Sequence, residues 1–222
     1  MIKFLNESGL RDNTLIIFTS DHGQQFGDHG FNNKHTFFES SWKIPLIMSM
    51  PGTLPENEKR DFAIWNDITA TILGAAGAKM KECQGFDLFN TLKKGNKSPR
   101  KCAVATLYKA AAVATKNWKL TYYFEEGDGM LFDRINDHKE QNNLFKNSDY
   151  DRLKNELIKA LLTWRADLEN VNKLIKRTGG GGPVAQRVGR HTKKMKGCDF
   201  ERRLNKKVEE IDLKFKVSEF SK

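Results

Sequence analysis

Asp21 and His22 stand side by side ahead of Gly23. A carboxylate and an imidazole at a sharp glycine turn can offer an oxygen and a ring nitrogen to one divalent cation. The same tripeptide also serves as plain turn chemistry, with the aspartate closing a local hydrogen bond and the glycine taking positive φ. The residues behind it shift the balance toward a site. Gly27-Asp28-His29-Gly30 follows, then Asn33-Lys34-His35-Thr36-Phe37-Phe38-Glu39, with Trp42, Pro45 and Pro51-Gly52 in order. Asp28 and His29 read better as a hydrogen-bonded loop that shapes a site than as members of it.

Such groups need elements to hold them. Thr14-Leu15-Ile16-Ile17-Phe18-Thr19 is a continuous apolar, β-branched run, which predicts a strand covered on both faces in an α/β sheet. Ligands of open α/β sheets bind beyond the carboxyl ends of the strands, where Ser20-Asp21-His22-Gly23 falls. A second short strand is predicted over 45–50, closed by Pro51-Gly52, and a helix over 63–73 that stops around Gly74 to Gly77. Ile2, Leu5 and Gly9 predict the last turns of an amphipathic helix at the N-terminus. From residue 100 the texture changes to short strands at 102–107, 111–115, 118–124 and 130–133, with a hairpin turn around Asp128. Leu153, Leu157, Leu161, Leu162 and Trp164 recur at helical spacing, which predicts one amphipathic helix packed on that sheet. Trp65, Trp118 and Trp164 are expected to anchor the core. The predicted fold class is α/β, a partial sheet with flanking helices, followed by a small antiparallel sheet plus helix (α+β).

The chain has 222 residues, 38% of them hydrophobic, and a formal net charge of +10. This composition supports a core and excludes disorder throughout. The charge is uneven, with 15 basic and only 6 acidic residues from 171 onward. Gly179-Gly180-Gly181-Gly182-Pro183 reads as a flexible linker. The expected division is 1–98, 99–170, and a linker with basic tail over 171–222. Lys193, Lys194, Lys196, Arg202, Arg203, Lys206 and Lys207 are able to contact nucleic acid, acidic glycans or anionic lipid. No zinc-ligand spacing or nucleic-acid motif accompanies them. The tail is therefore expected to be a solvated or partly helical extension, dispensable from 183 onward. Cys83, Cys102 and Cys198 are odd in number and widely spaced, reading as ordinary thiols. No apolar run approaches the roughly 20 residues of a bilayer span, and the first residues lack an apolar signal region.

The block from Thr19-Ser20-Asp21-His22-Gly23 through Lys34-His35-Thr36-Phe37-Phe38-Glu39-Ser40-Ser41-Trp42-Lys43-Ile44-Pro45-Leu46-Ile47 resembles the second-half signature of the formylglycine-dependent sulfatases, members of the alkaline phosphatase-like superfamily. Asn66-Asp67-Ile68-Thr69-Ala70-Thr71-Ile72-Leu73 is similar to the family's D-I-x-P-T-L-L helix, with Ala70 where proline is usual. Trp118-Lys119-Leu120-Thr121-Tyr122-Tyr123, Leu131-Phe132-Asp133, Asn136-Asp137 and Glu140-Gln141-Asn142-Asn143-Leu144 resemble its C-terminal pieces. The resemblance covers residues 1–168 and leaves the tail unexplained.

The resemblance implies an alkaline phosphatase-like sheet and the hydrolysis of sulfuric esters, on sulfated carbohydrate, aryl sulfate or choline sulfate. It makes Asp21 a carboxylate ligand of a divalent metal and puts His22 at the next ligand position, where many members carry asparagine. Ca²⁺ is the expected ion, with Mn²⁺ the alternative that an imidazole ligand favours. Lys34 matches the lysine that contacts the sulfate ester and neutralises oxygens gaining charge as the S–O bond breaks. His35 is a candidate to hydrogen-bond substrate or donate a proton, against a second reading as a turn cap. The family's formylglycine is made from Cys or Ser in a C/S-x-P/A-x-R motif, which none of the three cysteines matches, and its early paired aspartates are absent. The chain is therefore expected to be the C-terminal portion of a sulfatase, without turnover alone. Members are usually extracellular, periplasmic or lysosomal. Phosphate or phosphonate ester hydrolysis on the same scaffold, and polyanion binding through the tail, are the two alternatives.

Overall fold

The computed structural model describes residues 1–56, 62–78, 83–170 and 199–220. α1 (Ile2–Glu7) stops where Gly9 takes a φ of 71°, a left-handed conformation that glycine adopts without strain. β1 (Ile16–Thr19) follows, then α2 (Glu39–Trp42) and β2 (Leu46–Ser49), which pairs antiparallel with β1. α3 (Trp65–Ala75) and α4 (Leu88–Lys93) pack on each other through the Asp87 and Thr71 side chains, which take backbone N–H groups at the start of α4. The predicted double-sided cover of β1 is not found. Phe18 is 60% exposed and its cross-strand partner Ile47 59%, because among the described residues this sheet has two strands and no layer over that face.

The second sheet is an antiparallel meander of β3 (Ala103–Leu107), β4 (Ala110–Ala114), β5 (Trp118–Tyr123) and β6 (Asp128–Asp133). Side chains alternate across a strand, so each strand divides its residues between two faces. Ala111, Val113, Trp118 and Leu120 join one large cluster with Leu153, Leu157, Leu161 and Trp164 of α5 (Asp151–Asn170). On the other face Ala110 and Ala112 meet Phe37 and Trp42 from the segment around α2. All five residues of β4 are buried, four of them alanines, so a loop and a short helix can lie close against a nearly flat surface.

The tail departs from expectation. Residues 179–183, the predicted linker, lie outside the described residues; α6 (Asp199–Lys214) is helical, as one half of the expectation has it, but it is no solvated extension. Leu204, Val208, Ile211 and Phe215 are buried in the large cluster, and the Trp118 indole N–H donates to the Phe215 carbonyl at 2.9 Å. The reason is amphipathicity: one face of α6 is apolar at helical spacing, although the basic composition of the segment conceals it. Its cations are largely paired, Arg203 with Asp167 at 2.8 Å and Lys207 with Glu156 at 2.9 Å. Trp118 and Trp164 are core residues as expected, whereas Trp65, at the start of α3, is 48% exposed.

Arg100 joins the pieces. Its buried guanidinium donates to both carboxylate oxygens of Asp67 on α3, at 2.5 and 2.6 Å, and to Glu201 on α6 at 2.9 Å. Asp67 also accepts the backbone N–H groups of Ile64 and Phe86, and Glu201 accepts the Trp164 indole N–H. Burial alone would lower the Arg100 pKa, but the Asp67 and Glu201 carboxylates outweigh it and hold the guanidinium above its ordinary value. Removing one member strands the others in a dry interior, so Arg100→Met should lower unfolding free energy by about 3–5 kcal/mol. Truncation before Asp199 should abolish the cooperative urea transition altogether, the opposite of a dispensable tail.

Candidate functional site

The end of β1 leads directly into Ser20-Asp21-His22-Gly23. The Asp21 carboxylate accepts the His22 backbone N–H at 2.9 Å and the Ser20 hydroxyl at 3.3 Å. That first bond holds the Asp21 carboxyl below its ordinary range, so it stays ionised in mild acid. The Trp65 indole N–H, missed as a site residue by sequence reasoning, donates to the Asp21 carbonyl at 3.1 Å and fixes the turn from the α3 side. Its signal was there to be found: an aromatic with a polar edge at a helix start is well suited to a partly exposed hydrogen bond.

His22 Nδ1 lies 2.7 Å from the Gly23 carbonyl, which can only accept, so Nδ1 carries a proton, and in the neutral ring Nε2 is then the acceptor. Nε2 is 3.1 Å from Asp21 Oδ2 and 2.5 Å from Lys34 Nζ. Two donor atoms thus converge, with the Lys34 ammonium in hydrogen-bond contact with one of them. Two ligands about 2.2 Å from one ion at a right angle would stand about 3 Å apart, so the pair fits a shared divalent cation. It is a partial set: among the described residues no group of three or more His, Cys, Asp and Glu side chains is arranged to hold a metal.

The Lys34 loop is held by α2. The Ser41 hydroxyl donates to the Lys34 carbonyl at 2.5 Å and lies 3.2 Å from the Thr36 carbonyl, while the Ser41 carbonyl accepts the Gly23 N–H at 2.8 Å. One serine therefore ties together the two loops that bring Lys34 to His22. Gln25, fully buried, accepts the Thr36 hydroxyl and braces the same loops. Asp21, His22, Lys34 and Trp65 line one cleft of about 730 Å³ that continues toward β3.

The structure brings Asp21, His22 and Lys34 together and leaves His35 outside this cluster. The His35 ring meets the edge of Tyr108, on the turn between β3 and β4, at a centroid distance of 6.1 Å. Asp28 and His29 shape the loop as expected: His29, with a φ of 54°, stacks on Phe38 at 3.7 Å. Asp128, expected within the hairpin turn, stands just past it as the first residue of β6 and pairs with Lys146 at 3.0 Å.

With this geometry in place, comparison with known proteins is informative. Residues 27–167 match the family model of the N-sulphoglucosamine sulphohydrolase C-terminal region. An N-acetylglucosamine-6-O-sulfatase of Bacteroides thetaiotaomicron is 28% identical over 176 residues, covering 72% of this chain and 32% of its own. A choline-sulfatase of Rhizobium meliloti is 30% identical over 155 residues, covering 66% of this chain and 30% of its own. Among solved structures, one in complex with its substrate D-glucosamine-2-N,6-O-disulfate superposes with a TM-score of 0.69 at 25% identity, over 77% of this chain and 38% of that one. The phosphonate monoester hydrolase of Agrobacterium radiobacter superposes with a TM-score of 0.64 at 26% identity, over 74% and 37% respectively. The chain spans about a third of the length of these two curated relatives.

The close seat of Gly23 sets a test. A Cβ on it would lie 2.1 Å from the Ser40 carbonyl oxygen, which is backbone and cannot swing away. Gly23→Ala should destabilise the fold by about 1–3 kcal/mol through overpacking. In amide exchange the Gly23 position should lose its protection while the β4–β5 ladder keeps its own.

Proposed function

The chain belongs to the sulfatase family of hydrolases, and on that premise we propose that residues 21–42 supply one side of a sulfuric ester hydrolysis site. The observation that carries the reading is the convergence of Asp21 Oδ2 and His22 Nε2 with the Lys34 ammonium in contact with Nε2. Asp21 and His22 would hold a divalent cation, Ca²⁺ by the carboxylate's preference and Mn²⁺ by the imidazole's. When bound, such an ion polarises an ester oxygen and stabilises charge on it.

The residues of this chain act around that. Asp21, its carboxyl kept ionised, supplies negative charge to the cation. In the neutral His22 ring the Gly23 carbonyl takes the Nδ1 proton, so this hydrogen bond selects the tautomer whose Nε2 is able to ligate. Lys34, held through its carbonyl by Ser41, presents a fixed positive charge to the sulfate oxygens as the ester bond lengthens. His35 has no place in this arrangement. These 222 residues carry no formylglycine motif and the described residues no third metal ligand, so turnover requires a nucleophile and further ligands from elsewhere.

The substrate class is a sulfate ester, and the names of the relatives point to sulfated sugars and choline sulfate. A second reading, a phosphonate or phosphate ester, draws support from the similarity to a phosphonate monoester hydrolase and from the shared tetrahedral anion. Polyanion binding through the tail is weaker: the described part of the tail packs its apolar face in the core and pairs Arg202, Arg203 and Lys207 with carboxylates.

The test is direct. One Mn²⁺ per chain should bind, read by electron paramagnetic resonance, and Asp21→Ala and His22→Ala should each remove it. In an assembly that hydrolyses an aryl sulfate, Asp21→Ala should abolish activity and Lys34→Ala should lower kcat by about 10²-fold or more. Mn²⁺ binding that survives Asp21→Ala would overturn the metal assignment, and full turnover in the Lys34 variant would remove that residue from the chemistry.

A further inference from the structure

Lys119 is a charged residue in the interior of a sheet. It is the second residue of β5, on the face opposite α5, with 1% of its side chain exposed. Its ammonium donates to Glu140 at 2.6 Å and to Glu39 at 3.2 Å and lies 4.8 Å over the Trp42 ring. A buried lysine at this position stabilises the fold little compared with a well-packed apolar side chain, and its presence calls for a reason beyond stability. The bonds leading away from it supply one. The second oxygen of Glu140 accepts the backbone N–H of Glu39, the first residue of α2, at 2.8 Å. Two residues further along, Ser41 holds the Lys34 carbonyl with its hydroxyl and the Gly23 N–H with its carbonyl. A continuous path of hydrogen bonds and short chain therefore runs from a rigid central strand to both loops of the candidate site.

We propose that Lys119, through Glu140 and α2, is a positioning residue that sets the spacing between His22 and Lys34. The inference rests on the sulfatase-type reading of that site only for its functional meaning, since the positioning itself is a property of the loops. Lys119 touches neither donor of the candidate metal pair. Its effect passes through the orientation of α2: without the ammonium that both share, the Glu39 and Glu140 carboxylates lose the charge between them, and the α2 N-terminus is pushed from the sheet. Trp42 of α2 lies against Lys119, whose ammonium sits over its ring, and Lys119→Met would keep an apolar side chain on that ring.

The test uses the full chain. Lys119→Met removes the charge and keeps the stem, Lys119→Arg restores the charge, and Glu140→Gln neutralises the partner while keeping an acceptor for Glu39. Amide exchange at Gly23 is the first readout. In Lys119→Met its protection should fall by an order of magnitude or more, with Val113 and Leu120 unchanged, and Lys119→Arg should recover it. Mn²⁺ affinity is the second readout, and it should weaken about 10-fold in Lys119→Met and return in Lys119→Arg, in line with other outer-shell changes. Should both charge-removing variants fail to fold, exchange in the wild type decides: the Gly23 and Glu39 amides should open together under mild urea with one common free energy. Unchanged Gly23 protection in folded Lys119→Met, or Gly23 and Glu39 opening independently in the wild type, overturns the proposal. If wild type binds no Mn²⁺ while Gly23 responds to Lys119, the positioning role stands and the metal reading fails.

Discussion

Three segments remote in sequence converge on the Arg100 guanidinium, and the architecture rests on their meeting there. Asp67 belongs to the α3–α4 layer, Arg100 precedes the first strand of the meander, and Glu201 belongs to the last helix. None of the three is tolerable alone in a dry interior. A bidentate pair with a third charge-assisted bond makes burial acceptable only when all are present in one geometry. The neighbours complete the satisfaction: backbone N–H groups on Asp67, an indole N–H on Glu201, and the Phe86 ring under the guanidinium at 4.9 Å. Such a cluster specifies register more than it adds stability, because a misplaced helix or a slipped loop leaves an uncompensated charge. It is also the reason that α6 cannot be treated as an appendage.

A second buried charge cluster plays the equivalent part between the meander and the candidate site. Lys119, Glu140 and Glu39 bind α2 to the sheet, and Ser41 on α2 binds the loops. The two clusters divide the work: one fixes how layers assemble, the other fixes where the loop residues end up. The reactive groups themselves remain exposed, as they must to meet a substrate, while the charges that orient them are hidden.

Much of this was legible in the residues. The four strands after residue 100, the helix carrying Leu153, Leu157 and Leu161, and the turn at Gly9 follow from period and turn chemistry alone. Asp21, His22 and Lys34 could be named because types and spacing matched a known pattern, and the fold does bring them together. Other features were hidden for physical reasons. The cover expected over β1 is a tertiary property, and an apolar run says that a face wants covering, not what covers it. The apolar stripe of α6 was masked by the many cations between its apolar positions. Trp65 looked like a core residue because an indole is large, while its role depends on one N–H that reaches the Asp21 carbonyl. His35 was favoured by adjacency, yet neighbouring side chains in a loop diverge, and its ring turns to Tyr108. Lys119 and Glu140 lay inside recognised motifs, but only their pairing 21 residues apart reveals what they do.

The alanines of β4 have a consequence that reaches the reactive end of the molecule. Ala110 and Ala112 are the floor on which Phe37 and the α2 segment rest, so their methyl groups act as a shim whose thickness sets the height of Lys34 above the sheet. A shim works because it is thin and uniform. Any larger side chain in that layer would raise the loop as a body and leave its internal hydrogen bonds intact, a fault that no inspection of the reactive residues would detect. The mechanical tolerance of the site is thus written in a strand that carries no functional group at all.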